Sequence, residues 1–166
     1  MADLLSSLSL GNSLLGLFSI TLVSLLTWFI ALRWPDISKI ILVALIARLT
    51  LLVIGHFIDL PDSGSDAENF EDTAWRYAQN GFFNVLGYFT GPDPFFISWI
   101  IAVPYSLMDR SELMAQSISL LFGLGSVVLG WLVANKIWNK DISNKVGWAI
   151  ALFPTLILYS VLTLRE

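Results

Sequence analysis

The sequence has no cysteine, which excludes disulfides and thiolate metal sites and leaves the redox compartment unread. It has a single histidine, His56, so no histidine pair exists to build a zinc-type centre. Charge is scarce: 13% of residues are Asp, Glu, Lys or Arg, about half the usual share of a soluble domain. There is no basic stripe, and the net charge is −4, which argues against a nucleic-acid partner. No glycine-rich phosphate loop occurs. The first 32 residues hold no Lys or Arg, so the basic start of a cleaved secretion signal is missing.

What is abundant is apolar. Such residues make up 56% of the 166, and the mean hydropathy is +0.75. A globule of this size could not bury so much apolar surface away from water, whereas lipid removes the need. Four runs approach the length that crosses about 30 Å of hydrocarbon at 1.5 Å per residue. They are residues 13–32, 40–58, 113–135 and 146–164; only the second carries charge or histidine, at Arg48 and His56. A fifth run, 94–108, is shorter and contains Pro104. These runs predict an all-α, polytopic transmembrane helical bundle forming one membrane domain.

Lys and Arg set the expected orientation. Arg33 and Lys39 lie between the first two runs, and Lys136, Lys140 and Lys145 between the last two. Residues 59–112 carry nine acids against Arg76 and Arg110. The positive-inside rule therefore places 59–112 on the non-cytoplasmic side and the lysine-rich connection in the cytoplasm. This holds if 94–108 dips into the interface without crossing, giving four spans and one short juxtamembrane helix. Trp28, Trp34, Trp99, Trp138 and Trp148 read as interfacial belt residues, and Gly123, Gly125 and Gly130 as sites of close helix packing.

The acidic loop has internal order. Ser65-Asp66-Ala67-Glu68 fits a capping box, and Phe70, Ala74, Tyr77 and Ala78 recur on one helical face. Gly81 is a stop signal. The pattern predicts an amphipathic helix over 66–80, resting on the membrane through Phe70, Ala74 and Tyr77, with Glu71 and Asp72 facing water. Asp66 falls in its first turn, where the helix dipole favours a carboxylate.

The stretch DSGSDAENFEDTAWRYAQNGFF resembles the first external loop of the C-type glycosyltransferase superfamily. These are multi-span enzymes that use polyprenyl-phosphate sugars, and they include protein mannosyltransferase-like and lipid A aminoarabinose transferase-like families. Asp66, Phe70, Ala74 and Gly81 match the family pattern there. The similarity continues through PDPFFISWIIAVPYSLMDRSELMAQ and ends in FPTLILYSVLTLRE. This chain has Pro92-Asp93-Pro94 where the family often has paired prolines, and Gln116 where many members have Arg.

The resemblance implies a function and a set of roles. Asp66 would be the base toward the acceptor, while Glu112 and Glu166 would line the acceptor or metal region. Arg48 and Arg165 would be candidate partners for phosphate or for a charge inside the membrane. The lipid-linked sugar would be the donor substrate, and a divalent metal ion a candidate cofactor. Members of the family are several times longer, so this chain is expected to be the amino-terminal portion of a longer enzyme. Each assignment has a plainer counterpart. Asp66 and Glu112 suit helix N-termini, Glu166 suits an interfacial acid beside Arg165, and Arg48 can snorkel or pair internally. The functional alternatives are a non-catalytic membrane subunit of the same ancestry and, ranked last, a transporter component. Only Pro154 interrupts a full span, and no internal repeat of the transporter kind is visible.

Overall fold

The computed structural model describes residues 2–58 and 65–162, with side chains from 11–58 and 69–162. Among the described residues every regular element is helical: α1 (Ala2–Arg33), α2 (Pro35–Phe57), α3 (Ser65–Ala78), α4 (Phe82–Gly87), α5 (Phe96–Leu107), α6 (Glu112–Ile137), α7 (Lys140–Leu152) and α8 (Pro154–Tyr159). Three stretches are long and apolar enough to cross a membrane: Gly11–Arg33, Pro35–Phe57 and Glu112–Ile137. Their outward faces carry Leu14, Phe18 and Leu25 on α1, Ile46 and Val53 on α2, and Phe122, Leu129 and Val133 on α6, all exposed. Apolar faces of that extent are unstable against water and suit lipid. The chain has the make-up of a multi-pass integral membrane protein.

The fourth expected span, 146–164, is not one continuous helix. Phe153 turns to extended geometry (φ −66°, ψ 118°), and α8 begins afresh at Pro154. The cause is local. A proline disfavours helical geometry in the residue before it and has no N–H to give the carbonyl four residues back. The break leaves the last carbonyls of α7 without helical partners.

The chain divides into two compact units. The first contains residues 1–20, 61–118 and 163–166, and the second 21–60 and 119–162. In the second, Ile37, Ile40, Ile41 and Ala44 of α2 pack with Leu120, Leu124, Val127 and Trp131 of α6 and with Ala151 of α7. Arg48 is fully buried in this unit. Its Nη1 donates to the Ala44 carbonyl at 3.2 Å and to the Ala151 carbonyl at 3.1 Å, so the arginine caps the broken end of α7. Its Nε and Nη2 have no partner among the described residues. Trp131 Nε1 donates to Asn144 Oδ1 at 2.9 Å, and Lys140 pairs with Asp36 at the surface.

Glycine permits the closest approaches. A Cβ on Gly123 would stand 2.2 Å from Ser160 Cβ, and one on Gly130 would stand 2.3 Å from Ile150 Cδ1. Gly125 differs from the packing role its sequence suggests, because a Cβ there meets nothing within 4 Å. The two neighbours on α6 therefore give opposite outcomes. Gly123→Ala should destabilise the protein by about 1–3 kcal/mol through overpacking. Gly125→Ala should be neutral or stabilising by up to about 1 kcal/mol through helix propensity. Reversible unfolding of both variants in mixed micelles measures the difference.

Candidate functional site

In the first unit the acidic loop folds around α3. Ala74 and Ala78 are buried against Ile101, Ala102 and Tyr105 of α5, with Val85 of α4 and Met114 and Ala115 of α6 completing the cluster. Small side chains let the α3 and α5 backbones come close, and Ser98 Oγ donates to the Phe70 carbonyl at 2.8 Å. Phe70 meets Phe95 edge-on at 6.0 Å, and Tyr77 stacks on Tyr88 at 4.9 Å. Ala74 and Ala78 are thus turned into the protein, so Ala74 does not rest on the membrane as expected, while Phe70 and Tyr77 are half-buried. The helix covers 65–78 where 66–80 was expected, and α5 covers 96–107 within the expected 94–108.

Glu71 also departs from expectation, being 6% exposed rather than facing water. Its Oε1 accepts from Tyr105 Oη at 2.7 Å and from Arg110 Nε at 3.0 Å, and its Oε2 pairs with Arg110 Nη2. The same Nη2 reaches Asp72 Oδ1 at 2.6 Å. Tyr105 Oη lies 2.9 Å from the Ser111 carbonyl, and Ser111 Oγ donates to the Asn12 carbonyl at 2.7 Å. One buried carboxylate therefore joins α3, α5 and the 108–111 turn. Burial, and then the Glu71 carboxylate beside it, push the Tyr105 hydroxyl well above its ordinary range. Arg110 is raised chiefly by its hydrogen bond to Glu71.

The sequence carries a signal for this arrangement. Glu71, Ala74 and Ala78 stand at i, i+3 and i+7, so a helix that buries both alanines carries the carboxylate inward with them. Arg110 is the only basic residue between Tyr77 and Glu112, and a buried acid needs such a partner.

The candidate site residues are distributed as follows. Asp66 lies in the first turn of α3, and its side chain falls outside the described ones. Glu112 is the first residue of α6 and is exposed, with Gln116 Nε2 3.4 Å from its Oε1. Arg165 and Glu166 lie outside the described residues. Arg48 belongs to the second unit, capping α7. On α3, Asn69, Asp72, Trp75 and Arg76 line an open cleft of about 440 Å³. Among the described residues no three His, Asp or Glu side chains gather as a metal site, and both oxygens of Glu71 are already engaged. The described carboxylates do not fit a divalent cation. No protein-family model, characterised protein or solved structure matches the chain.

The Tyr105 shift sets an alkaline limit on stability. The folded-state value is raised above the ordinary one of about 10. The stabilisation is therefore complete below pH 10 and is lost as pH rises beyond it, because the unfolded chain releases the proton first. The loss should approach about 1.4 kcal/mol per pH unit for this single proton. Tyr105→Phe should remove that alkaline component. Unfolding curves of both proteins from pH 9 to 11 give the comparison, and parallel slopes would contradict the assignment.

Proposed function

We propose that the chain is a membrane glycosyltransferase, or the amino-terminal module of one. It would act at the non-cytoplasmic face on a polyprenyl-phosphate sugar. The observation that supports this reading best is the fixing of α3. A helix whose first turn bears Asp66 is held by the Glu71–Arg110–Tyr105 cluster on the short helix α5, in a chain with three bilayer-length apolar helices. A carboxylate that acts on an acceptor must be positioned before the acceptor arrives. A membrane-embedded scaffold lets the polyprenyl tail stay in lipid while its sugar phosphate meets the loop.

In the proposed step the acceptor oxygen or nitrogen attacks the anomeric carbon. The bond from that carbon to the phosphate oxygen breaks, and the polyprenyl phosphate leaves with the bonding pair. Asp66 takes or orients the acceptor's proton. Glu71 has no part in the chemistry, since its oxygens are committed to Arg110 and Tyr105. That commitment, shared by Asp72, favours the second reading: a non-catalytic membrane subunit in which the acids of α3 are structural.

Asp66→Asn separates the two readings. The substitution keeps size and most N-terminal hydrogen bonding, so the cost in stability should be about 1 kcal/mol or less. A lost general base should lower sugar transfer by about a hundredfold to ten-thousandfold. The assay is transfer from a polyprenyl-phosphate sugar in membranes that carry the complete reading frame, at matched expression. Near-normal turnover by the variant would make Asp66 structural, and absence of transfer by the unaltered protein would favour the subunit reading.

A further inference from the structure

Beside the clamp, the first unit holds a second built feature. The segment that links α4 to α5 folds over an open cavity of about 260 Å³ whose walls include Tyr77, Tyr88, Phe89, Phe96 and Trp99, with Asp93 among the lining residues. The rings are ordered against one another. Tyr77 and Tyr88 stack at 4.9 Å, Phe89 and Trp99 lie 4.8 Å apart, and Phe96 and Trp99 are nearly parallel at 6.0 Å. Trp99 is fixed by donation from its Nε1 to the Val85 carbonyl at 2.8 Å. The turn is fixed as well: Gly91 takes a positive φ of 103° that L side chains avoid, and its carbonyl accepts from Asp93 N–H at 2.9 Å. Asp93 Oδ2 accepts from Thr90 Oγ1 and its Oδ1 from Phe95 N–H, both at 2.9 Å. The carboxylate is held in place without any cation beside it, since no Lys or Arg lines the cavity.

We infer that this aromatic cup binds a quaternary ammonium group of the trimethylammonium type. Aromatic faces carry negative potential and attract weakly hydrated cations. The Asp93 carboxylate adds a full negative charge, and no Lys or Arg lines the cavity to offset it. An anionic headgroup is repelled by the same arrangement. An acyl chain would strip water from the carboxylate without compensation. A primary ammonium is a compact, strongly hydrated charge, and ring faces cannot replace the water it would lose. A quaternary ammonium has no N–H, so it leaves no donor unsatisfied. The cavity lies just below the usual range for drug-sized ligands and suits a group of that size. The inference does not depend on the sugar-transfer reading.

The test uses the full chain in dodecyl maltoside micelles, with fluorotryptophan incorporated and the Trp99 fluorine resonance assigned by Trp99→Phe. Choline chloride is titrated against its uncharged analogue, in which carbon replaces the nitrogen. Choline should shift the Trp99 resonance saturably, and the analogue should bind at least about tenfold more weakly. Asp93→Asn can keep the Thr90 and Phe95 hydrogen bonds and should weaken choline by roughly fivefold. Tyr88→Leu should weaken it by about three- to tenfold, while Tyr88→Phe, which keeps the ring, should stay within about twofold. Unchanged resonances from the other tryptophans certify that each variant is folded, and Asp93→Asn, at an exposed position, decides the matter if a ring variant is not. Repeating the titration in nanodiscs separates the sources of the group. Loss of the choline response in phosphatidylcholine but not in phosphatidylglycerol identifies a lipid headgroup, and a response in both identifies the free cation. Equal affinity for the uncharged analogue, an unmoved Trp99, or full affinity in Asp93→Asn would overturn the inference.

Discussion

A charged side chain withdrawn from water must find its partners inside the protein, and each unit of this molecule is organised around one such group. In the first it is Glu71, whose two oxygens meet Arg110 and Tyr105. In the second it is Arg48, whose Nη1 meets the carbonyls of Ala44 and Ala151. Leaving either charge without partners would cost several kcal/mol. The partners decide which elements pack: α3 on α5 and the 108–111 turn in one case, α2 on the end of α7 in the other.

The Arg48 arrangement joins two features that look unrelated in sequence. Pro154 ends α7 and frees carbonyls that need a donor where they are buried. An arginine more than a hundred positions earlier supplies the donor. Pro154 makes the break, and the buried Arg48 supplies a donor to a carbonyl at the end of α7 beside it. The Glu71 arrangement likewise fixes the local geometry from which the candidate chemistry follows. It sets the face that α3 presents, leaving Asn69, Asp72 and Arg76 on an open cleft and turning the alanines inward.

Much of the fold was legible because its strongest signals are long and redundant. The three uninterrupted apolar helices, the loop helix and the short helix through Pro104 all overlap the stretches where run length, capping and periodicity place them, although α1 begins at Ala2, well ahead of the expected 13. The misreadings have specific causes. The expected face of α3 holds Ala74 and Ala78 together with Phe70 and Tyr77 and leaves Glu71 toward solvent, whereas the alanines, small enough for close contact with α5, carry Glu71 inward with them. Pro154 is visible in the sequence as the interruption of a full span, but counting run length treats 146–164 as continuous, whereas the missing N–H ends α7 there. Helix α4 is six residues long and carries no period to detect. For the site, the sequence pointed to Asp66, Glu112 and Glu166. The clamp came from Glu71, Tyr105 and Arg110, whose meeting is a tertiary event between residues more than thirty positions apart.

The central claim is that Glu71 holds the loop unit together, and hydrogen exchange on Glu71→Gln tests it most directly. The substitution keeps the shape of the side chain and removes the charge opposite Arg110. Because the Arg110 side chain is 42% exposed, the loss should fall below the full cost of breaking a buried pair. Amides of α3 and α5 should exchange roughly tenfold to a hundredfold faster, while those of α2 and α7 keep their protection. Unchanged protection across α3 and α5 in the folded variant would show that Ala74, Ala78 and their neighbours suffice without the charge, and the account would be wrong.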